Sequence, residues 1–114
     1  MAAPDHTPLP LSAIHVLIAI GPNELHGYAI MSEIARITDG SVRIGPGTLY
    51  TSIKRLLTAG LLEESGERPD PALDDHRRRY YRLTLAGREA ASAEVKRLKA
   101  LVSAANGWTS VRRS

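Results

Sequence analysis

The chain has 114 residues, enough for a single domain with a modest hydrophobic core. It contains no cysteine, so disulfides, thiolate zinc sites and cysteine nucleophiles are excluded. Residues 1–45 hold two basic and four acidic residues, a net charge of −2, whereas residues 46–114 hold thirteen basic and eight acidic residues, a net charge of +5. The positive charge is therefore concentrated in the second part of the chain, as a polyanionic partner would require.

The first part of the chain predicts an arm and two helices. Residues 1–10 have little apolar sequence and predict a flexible arm. The apolar run after them is too short to span a bilayer and has no basic segment before it, so we expect a soluble cytoplasmic protein with no membrane partner. This run predicts a buried helix over 12–20 with Ser12 as its cap. A GPN loop separates it from an amphipathic helix predicted over 27–37.

The third predicted helix has the clearest boundaries. Pro46 suits a first helical turn, where its missing N–H needs no partner, and Gly60 suits the left-handed residue after a helix end. Between them four apolar side chains share one face, which we expect to be buried. They are Leu49, Ile53, Leu56 and Leu57. Polar and basic side chains point elsewhere: Thr48, Thr51, Ser52, Lys54 and Arg55.

That polar surface suits the major groove of DNA. Arg and Lys reach guanine edges or phosphates, and Thr offers a hydroxyl and a methyl group. Tyr50 either donates to a phosphate or packs beneath the helix, and the two roles are compatible.

Two strands are predicted after this helix, over Leu61–Glu67 and Arg77–Leu85. The segment between them, RPDPALDD, has two prolines and three aspartates and predicts a loop. Alternation along the second strand sends Arg77 and Arg79 one way and Arg78 the other. A second set can share a buried face: Tyr81, Leu83 and Leu85. The arginines, with Arg82 close by, predict contact with backbone phosphates or the minor groove.

The last helix is predicted over 85–106, with Thr84 as its cap. Its apolar side chains recur at steps of 4, 3, 4 and 3, a heptad spacing that favours pairing with a second copy. The predicted dimerisation residues are Ala91, Val95, Leu98, Val102 and Ala105, with Leu101 beside them. Trp108 follows the predicted helix end.

No catalytic or metal site is predicted. The four histidines have no metal-ligand spacing, and the sequence contains neither a nucleophile elbow nor a glycine-rich phosphate loop. Asp74, Asp75 and His76 adjoin one another, but a flexible acidic loop explains them better than a metal site. We therefore expect no enzyme, no catalytic residue and no cofactor.

Three stretches resemble the PadR family of transcriptional regulators: HVLIAIGPNELHGYAIMSEI (15–34), GTLYTSIKRLLTAGLLEE (47–64) and RRRYYRLTLAG (77–87). The combined order of HGY, GTLY, KRL, AGL and YYRLT carries the resemblance. It implies a winged-helix repressor that dimerises through its C-terminal helix. It also implies that Tyr50, Lys54, Arg55 and the wing arginines touch DNA.

The sequence departs from the family pattern at two places. The predicted wing tip, Pro69 to Asp75, is long and acidic, so phosphates would repel it and the arginines at the strand base are better candidates for contact. Some family members bind a flat ligand between subunits with a tryptophan inside the last helix. Here the matching stretch is aliphatic, with Leu98 and Val102, and the resemblance does not support a small-molecule effector.

The sequence thus predicts a mainly α (α+β) fold, a winged helix-turn-helix with a two-stranded wing and a C-terminal dimerisation helix. The predicted parts are an arm (1–10), a DNA-binding domain (11–85), a dimerisation helix (86–106) and a tail (107–114). The predicted function is a homodimeric regulator, a repressor, that binds a pseudo-palindromic operator in double-stranded DNA. Two alternatives stay open: a winged helix that binds an acidic protein partner, and a ligand-sensing dimer. The predicted DNA-binding residues are Thr48, Tyr50, Thr51, Lys54, Arg55, Arg77, Arg78 and Arg79.

Overall fold

A computed structural model describes residues 8–67 and 79–109. Within them four helices alternate with the strands of one antiparallel sheet. The elements follow as α1 (Leu11–Ile20), β1 (Leu25–His26), α2 (Gly27–Ile37), α3 (Pro46–Thr58), β2 (Leu62–Glu67), β3 (Arg79–Leu83) and α4 (Leu85–Asn106). This order confirms the predicted mainly α winged helix-turn-helix. Most of the predicted arm and tail, the 68–75 loop, Arg77 and Arg78 lie outside the described residues.

The predicted ends of α3 and α4 are confirmed. Pro46 occupies the first turn of α3, and Gly60 follows its end with φ +74°, the left-handed conformation that favours glycine. At the start of α4 the Thr84 hydroxyl accepts a hydrogen bond from the Gly87 N–H at 3.0 Å. These signals depend only on residues adjacent in the chain, which is why the sequence locates both helices to within a residue or two.

The predicted cap of α1 is wrong. The helix begins at Leu11, and the Pro10 carbonyl accepts hydrogen bonds from the N–H groups of Ala13 and Ile14 at 3.0 and 3.1 Å. Ser12 is therefore inside the first turn rather than before it. Pro10 is the residue before the helix, and α1 begins there without a side-chain cap.

The sheet contains one strand more than the predicted two-stranded wing. Its order is β1-β3-β2, and β1 pairs Leu25 with Tyr81 and His26 with Tyr80. Two residues are too few to show a periodic pattern, so only the tertiary pairing identifies β1. The wing strands pair from Leu62 opposite Leu83, with an irregularity between Glu64 and Gly66.

The second wing strand ends earlier than predicted. Tyr81 is buried and Leu83 half-buried, as expected for one covered face of the strand. Leu85, however, is the first residue of α4 and is 73% exposed, so its predicted place on the buried strand face is wrong. The reason is Thr84, whose cap starts the helix and turns the chain away from the sheet.

The hydrophobic core is built around α1, which contacts all three other helices and β3. Its fully buried side chains, with those of α2 and α3, form one cluster. The largest of them are Val16, Leu17, Ile20, Ile30, Ile34, Leu49, Ile53 and Leu56. The core thereby fixes α3 against α1 by its apolar face. Along the described part of the chain, no helix is long and apolar enough to cross a bilayer.

Candidate nucleic-acid interface

Helix α3 separates a buried face from an exposed one. Leu49, Ile53 and Leu56 are at most 2% exposed and pack against the core, and Leu57 is half-buried. The opposite side presents the predicted polar residues Thr48, Thr51, Lys54 and Arg55, all of which are exposed. The structure therefore brings four of the predicted DNA-binding residues together on one helix surface.

Ser52 does not belong to this exposed set. It is 4% exposed, and its hydroxyl lies 3.3 Å from the hydroxyl of Ser12 in α1. The prediction that Ser52 points elsewhere than the buried face of α3 is wrong, because α1 crosses α3 at this position. The contact gives the buried Ser52 hydroxyl a partner in Ser12, which is half-buried, and joins the two helices.

The cations on α3 are available to an external anion. Neither Lys54 nor Arg55 forms an ion pair with any residue that the structure describes. Arg43, in the loop before α3, is also exposed and has no ion-pair partner within residues 8–67 and 79–109. The sequence pattern did not single out Arg43, since it lies outside any periodic element. Unpaired cations beside hydroxyls are the side chains that phosphate binding requires.

Thr51 has a restricted hydrogen-bonding role. Its hydroxyl donates to the Gly47 carbonyl one turn earlier at 2.9 Å. The proton is then directed at the helix, and the side chain offers to solvent a methyl group and an oxygen that can accept. Such a side chain suits contact with a thymine methyl or with a base amino group.

Tyr50 faces α2, the other helix of the helix-turn-helix. Its ring lies against Gly27, the first residue of α2, so closely that a Cβ on Gly27 would overlap the Tyr50 hydroxyl. Tyr50 is half-buried and lies on the rim of the core. Tyr50 therefore packs between α3 and α2, one of the two roles expected for it.

The wing is described along its two paired strands, β2 and β3. Arg79 is exposed at the outer end of β3, whereas Arg77 and Arg78 lie outside the described residues. Arg82 is engaged within the chain: its guanidinium donates to Glu63 at 2.8 Å and to Glu24 at 3.4 Å. The hydrogen bond to Glu63 raises the pKa of Arg82 above its ordinary value. Arg82 therefore ties β2, β3 and the loop before β1 together.

An open cleft of about 500 Å³ separates the first turn of α1 from the exposed side of α3. Its described lining residues are Pro10, Ser12, Gly47, Thr48, Thr51, Ser52 and Arg55. The cleft combines one cation with several hydroxyls. Sequence reasoning missed Pro10, Ser12 and Gly47 as lining residues, because nothing in the local pattern shows that α1 begins beside α3.

Comparison with known proteins identifies the family. The model of the PadR-like family of transcriptional regulators matches residues 16–93. The chain belongs to the PadR-like family. A transcriptional regulator of Mycobacterium tuberculosis is 36% identical over 88 residues, which cover 77% of this chain and 76% of that protein. Members of the family regulate transcription and are not enzymes.

Two solved structures show the same fold. A PadR family transcription regulator from Clostridium difficile superposes with a TM-score of 0.70 at 19% identity, covering 89% of this chain and 100% of that one. The Bacillus subtilis PadR in complex with operator DNA superposes with a TM-score of 0.65 at 19% identity, covering 77% of this chain and 48% of that one.

The predicted dimerisation face of this PadR-like chain lies along α4. Near the start of the helix Ala91 and Val95 are half-buried, as is Ala105 near its end. Leu98, Leu101 and Val102 are 38%, 67% and 58% exposed. Leu98 also lines an apolar groove of about 160 Å³ with residues of α1 and α2. The other lining residues are Leu11, Ile14, His15, Ile18, Ile34, Ile37 and Thr38.

The described histidines have structural roles. The His26 Nδ1 accepts a hydrogen bond from the Ala29 N–H at 3.0 Å and so caps α2. Its ring also meets Tyr80 edge-on, with centroids 5.3 Å apart. His15 Nδ1 lies 2.9 Å from the Leu11 carbonyl within α1. Residues 8–67 and 79–109 contain no group of three His, Asp or Glu side chains placed to hold a metal ion.

Proposed function

We propose that this PadR-like regulator is a repressor that binds a pseudo-palindromic operator as a homodimer. The exposed side of α3 carries the proposal. It presents Lys54 and Arg55 without ion pairs among the described residues, beside Thr48 and Thr51, while the opposite side of the same helix is buried. A rigid helix that offers only neutral hydroxyls and cations is complementary to a DNA groove.

Helix α3 enters the major groove in this proposal, and the wing contacts the adjacent backbone. Lys54 and Arg55 reach guanine edges or phosphates, and Thr51 presents its methyl group and an acceptor oxygen. Arg77, Arg78 and Arg79 contact phosphates from the wing, where Arg79 lies opposite Glu67 at the outer end of β3. Tyr50 is also a predicted DNA-binding residue; its hydroxyl lies against Gly27, so it supports the reading helix from beneath. The Bacillus subtilis PadR, which shares the fold, has been solved in complex with operator DNA.

The homodimer follows from an apolar surface that the single chain leaves in water. Leu101 and Val102 on α4 are more than half exposed, and so is Leu11 at the edge of the neighbouring groove. Leu98 belongs to both the stripe and the groove, so the two form one continuous surface. In a two-fold dimer, the α4 stripe of each copy packs into the groove of the other. Every contact between the two copies therefore occurs twice.

Selection of bound duplexes from a random pool tests this function. We expect recovery of two inverted half-sites about 10 base pairs, or a multiple of that distance, apart, because a two-fold protein reads a two-fold site. Binding of the recovered duplex should weaken steeply with salt, as counterion release requires. Recovery of unrelated sequences with no inverted repeat would contradict the sequence-specific dimer. Salt-insensitive binding would favour a protein-interaction module, and reporter transcription in cells would separate repression from activation.

A further inference from the structure

At most glycine positions of the chain, the backbone conformation or a close contact within the protein explains why a side chain is absent. Four have positive φ angles, a conformation that side chains rarely adopt. They are Gly21, Gly40, Gly60 and Gly66. Two more lie against other parts of the chain: a Cβ would overlap the Tyr50 hydroxyl at Gly27 and the Leu61 carbonyl at Gly87. Neither reason applies to Gly45, Gly47 and Gly107.

Gly47 is the most unusual of these three positions. It lies inside the first turn of α3, without a positive φ, and an added Cβ would meet no described atom within 4 Å. Gly45 is the cap residue of the helix, where glycine is among the preferred residues, and Gly107 follows the end of α4. Alanine is a better helix former than glycine, so folding alone would favour alanine at position 47. A glycine here leaves space for something outside the protein.

The space beside Gly47 is the cleft between α1 and α3. Arg55 and the hydroxyls of Thr48 and Ser12 line it, and none of its described lining residues is acidic. The cleft adjoins the exposed side of α3, because Thr48, Thr51 and Arg55 belong to both. Its volume of about 500 Å³ is ample for a phosphodiester group with its water. Hydroxyls and a guanidinium around an open site can donate hydrogen bonds to the oxygens of a phosphate.

We propose that one phosphate of the operator backbone enters the cleft between α1 and α3, where Ser12, Thr48 and Arg55 bind it and the absent side chain of Gly47 admits it. The inference rests on the proposed DNA-binding function and deepens it. It makes the first turn of α1 part of the DNA-binding surface, together with the helix that reads the groove. Ser12 holds its position through the hydroxyl contact with Ser52.

The glycine makes a direct test, because a side chain there should help folding and hinder binding. Gly47→Ala and Gly47→Leu are compared with Gly107→Ala, the same kind of change in open space at the far end of α4. Thermal unfolding is measured alongside affinity for the recovered operator at fixed salt. We expect both Gly47 variants to unfold at or above the temperature of the unaltered protein. Gly47→Leu should bind about tenfold or more weakly, the effect of losing a hydrogen bond to a charged group, with Gly107→Ala unchanged.

Neutral methylphosphonates placed one at a time along the operator identify the phosphate. For the unaltered protein, one position in each half-site should weaken binding about tenfold. The Ser12→Ala variant should bind the ordinary operator less tightly than the unaltered protein. A methylphosphonate at that same position should weaken its binding much less, because the contact with Ser12 is already absent. Folded Gly47→Leu and Ser12→Ala variants with unaltered affinity would overturn the cleft while leaving the proposed function standing. An unaltered protein that binds no duplex would overturn both.

Discussion

At the scale of single residues, some basic side chains form ion pairs within the chain and others form none among the described residues. Arg82 and Arg97 belong to ion pairs with Glu63 and Glu94, whereas Lys54 and Arg55 have none among the described residues. Sequence places all four in the basic part of the chain, but it does not tell which are neutralised. For Arg82 the reason is that its partners, Glu24 and Glu63, lie far from it along the chain.

Lys54→Ala and Arg55→Ala should each weaken operator binding without affecting folding. We expect a loss of about 1–3 kcal/mol for a base contact, or a salt slope lower by about one for a phosphate contact. Both side chains are exposed, so the free energy of unfolding should stay the same. Arg88→Ala, an exposed arginine on α4, is the matched control. Unaltered affinity of the Lys54/Arg55 double variant would place the DNA-binding surface elsewhere.

Glu94 illustrates a residue whose role appears only in the fold. It is 4% exposed, and its Oε1 accepts hydrogen bonds from the Leu9 N–H at 3.1 Å and from Arg97 at 2.6 Å. It thereby attaches the chain before α1 to α4. A glutamate in the middle of a long helix carries no local signal for such a contact, and the sequence pattern treats it as a surface charge.

Glu94→Ala should lower the free energy of unfolding by about 1–3 kcal/mol, because the partly buried Leu9 N–H loses its acceptor. Glu94→Gln should lower it less, since the amide oxygen can still accept. Denaturation by urea measures both, and Glu89→Ala, an exposed glutamate on the same helix, provides the reference. If Glu94→Ala were no more destabilising than Glu89→Ala, the attachment would contribute nothing to folding.

At the scale of elements, α4 is joined to the wing by a close backbone approach. Gly87 in its first turn lies against the Leu61 carbonyl, which also accepts a hydrogen bond from the Thr84 N–H at 3.1 Å. The contact fixes where α4 leaves the winged helix. Because it depends on a missing side chain, the helical pattern of α4 does not reveal it.

Gly87→Ala should lower the free energy of unfolding by about 1–3 kcal/mol, the usual effect of forcing atoms into a packed contact. The same substitution at Gly107 has open space and should be neutral or slightly stabilising. Equal stabilities of the two variants, measured by thermal or urea unfolding, would mean that α4 shifts away from Leu61 without penalty.

The wing should act on all duplexes alike. Replacing Arg77, Arg78 and Arg79 with alanine is expected to lower affinity for operator and random DNA equally, because phosphate contacts carry no sequence information. Replacing Asp70, Asp74 and Asp75 with asparagine should keep or raise affinity, most visibly at low salt. Affinity against salt for both variants is the measurement. A large loss from the aspartate change would show that the wing approaches DNA with its tip.

At the scale of the whole molecule, the proposed homodimer uses the apolar stripe of α4 and the groove beside it. Leu101→Asp with Val102→Asp should abolish dimerisation, because burying two charges at the interface is unfavourable. The monomer should still fold, since both positions are exposed in the single chain. Ala100→Asp with Ser103→Asp adds the same charge on the opposite side of α4 and should remain dimeric. Sedimentation at micromolar concentration distinguishes the two. A stable monomer of the unaltered protein would rule the homodimer out.

The sequence by itself determined that four helices and two wing strands form, and that Thr48, Thr51, Lys54 and Arg55 share an exposed side of α3. These features depend on periodic burial and on local backbone chemistry, as at Pro46, Gly60 and Thr84, and both are written in consecutive residues. Only the tertiary structure decided that β1 joins the sheet and that Ser12 and Ser52 meet. It also decided that Glu94 holds Leu9 and that α1 begins beside Gly47. Each of those contacts joins distant segments whose approach is fixed by the packing of the core.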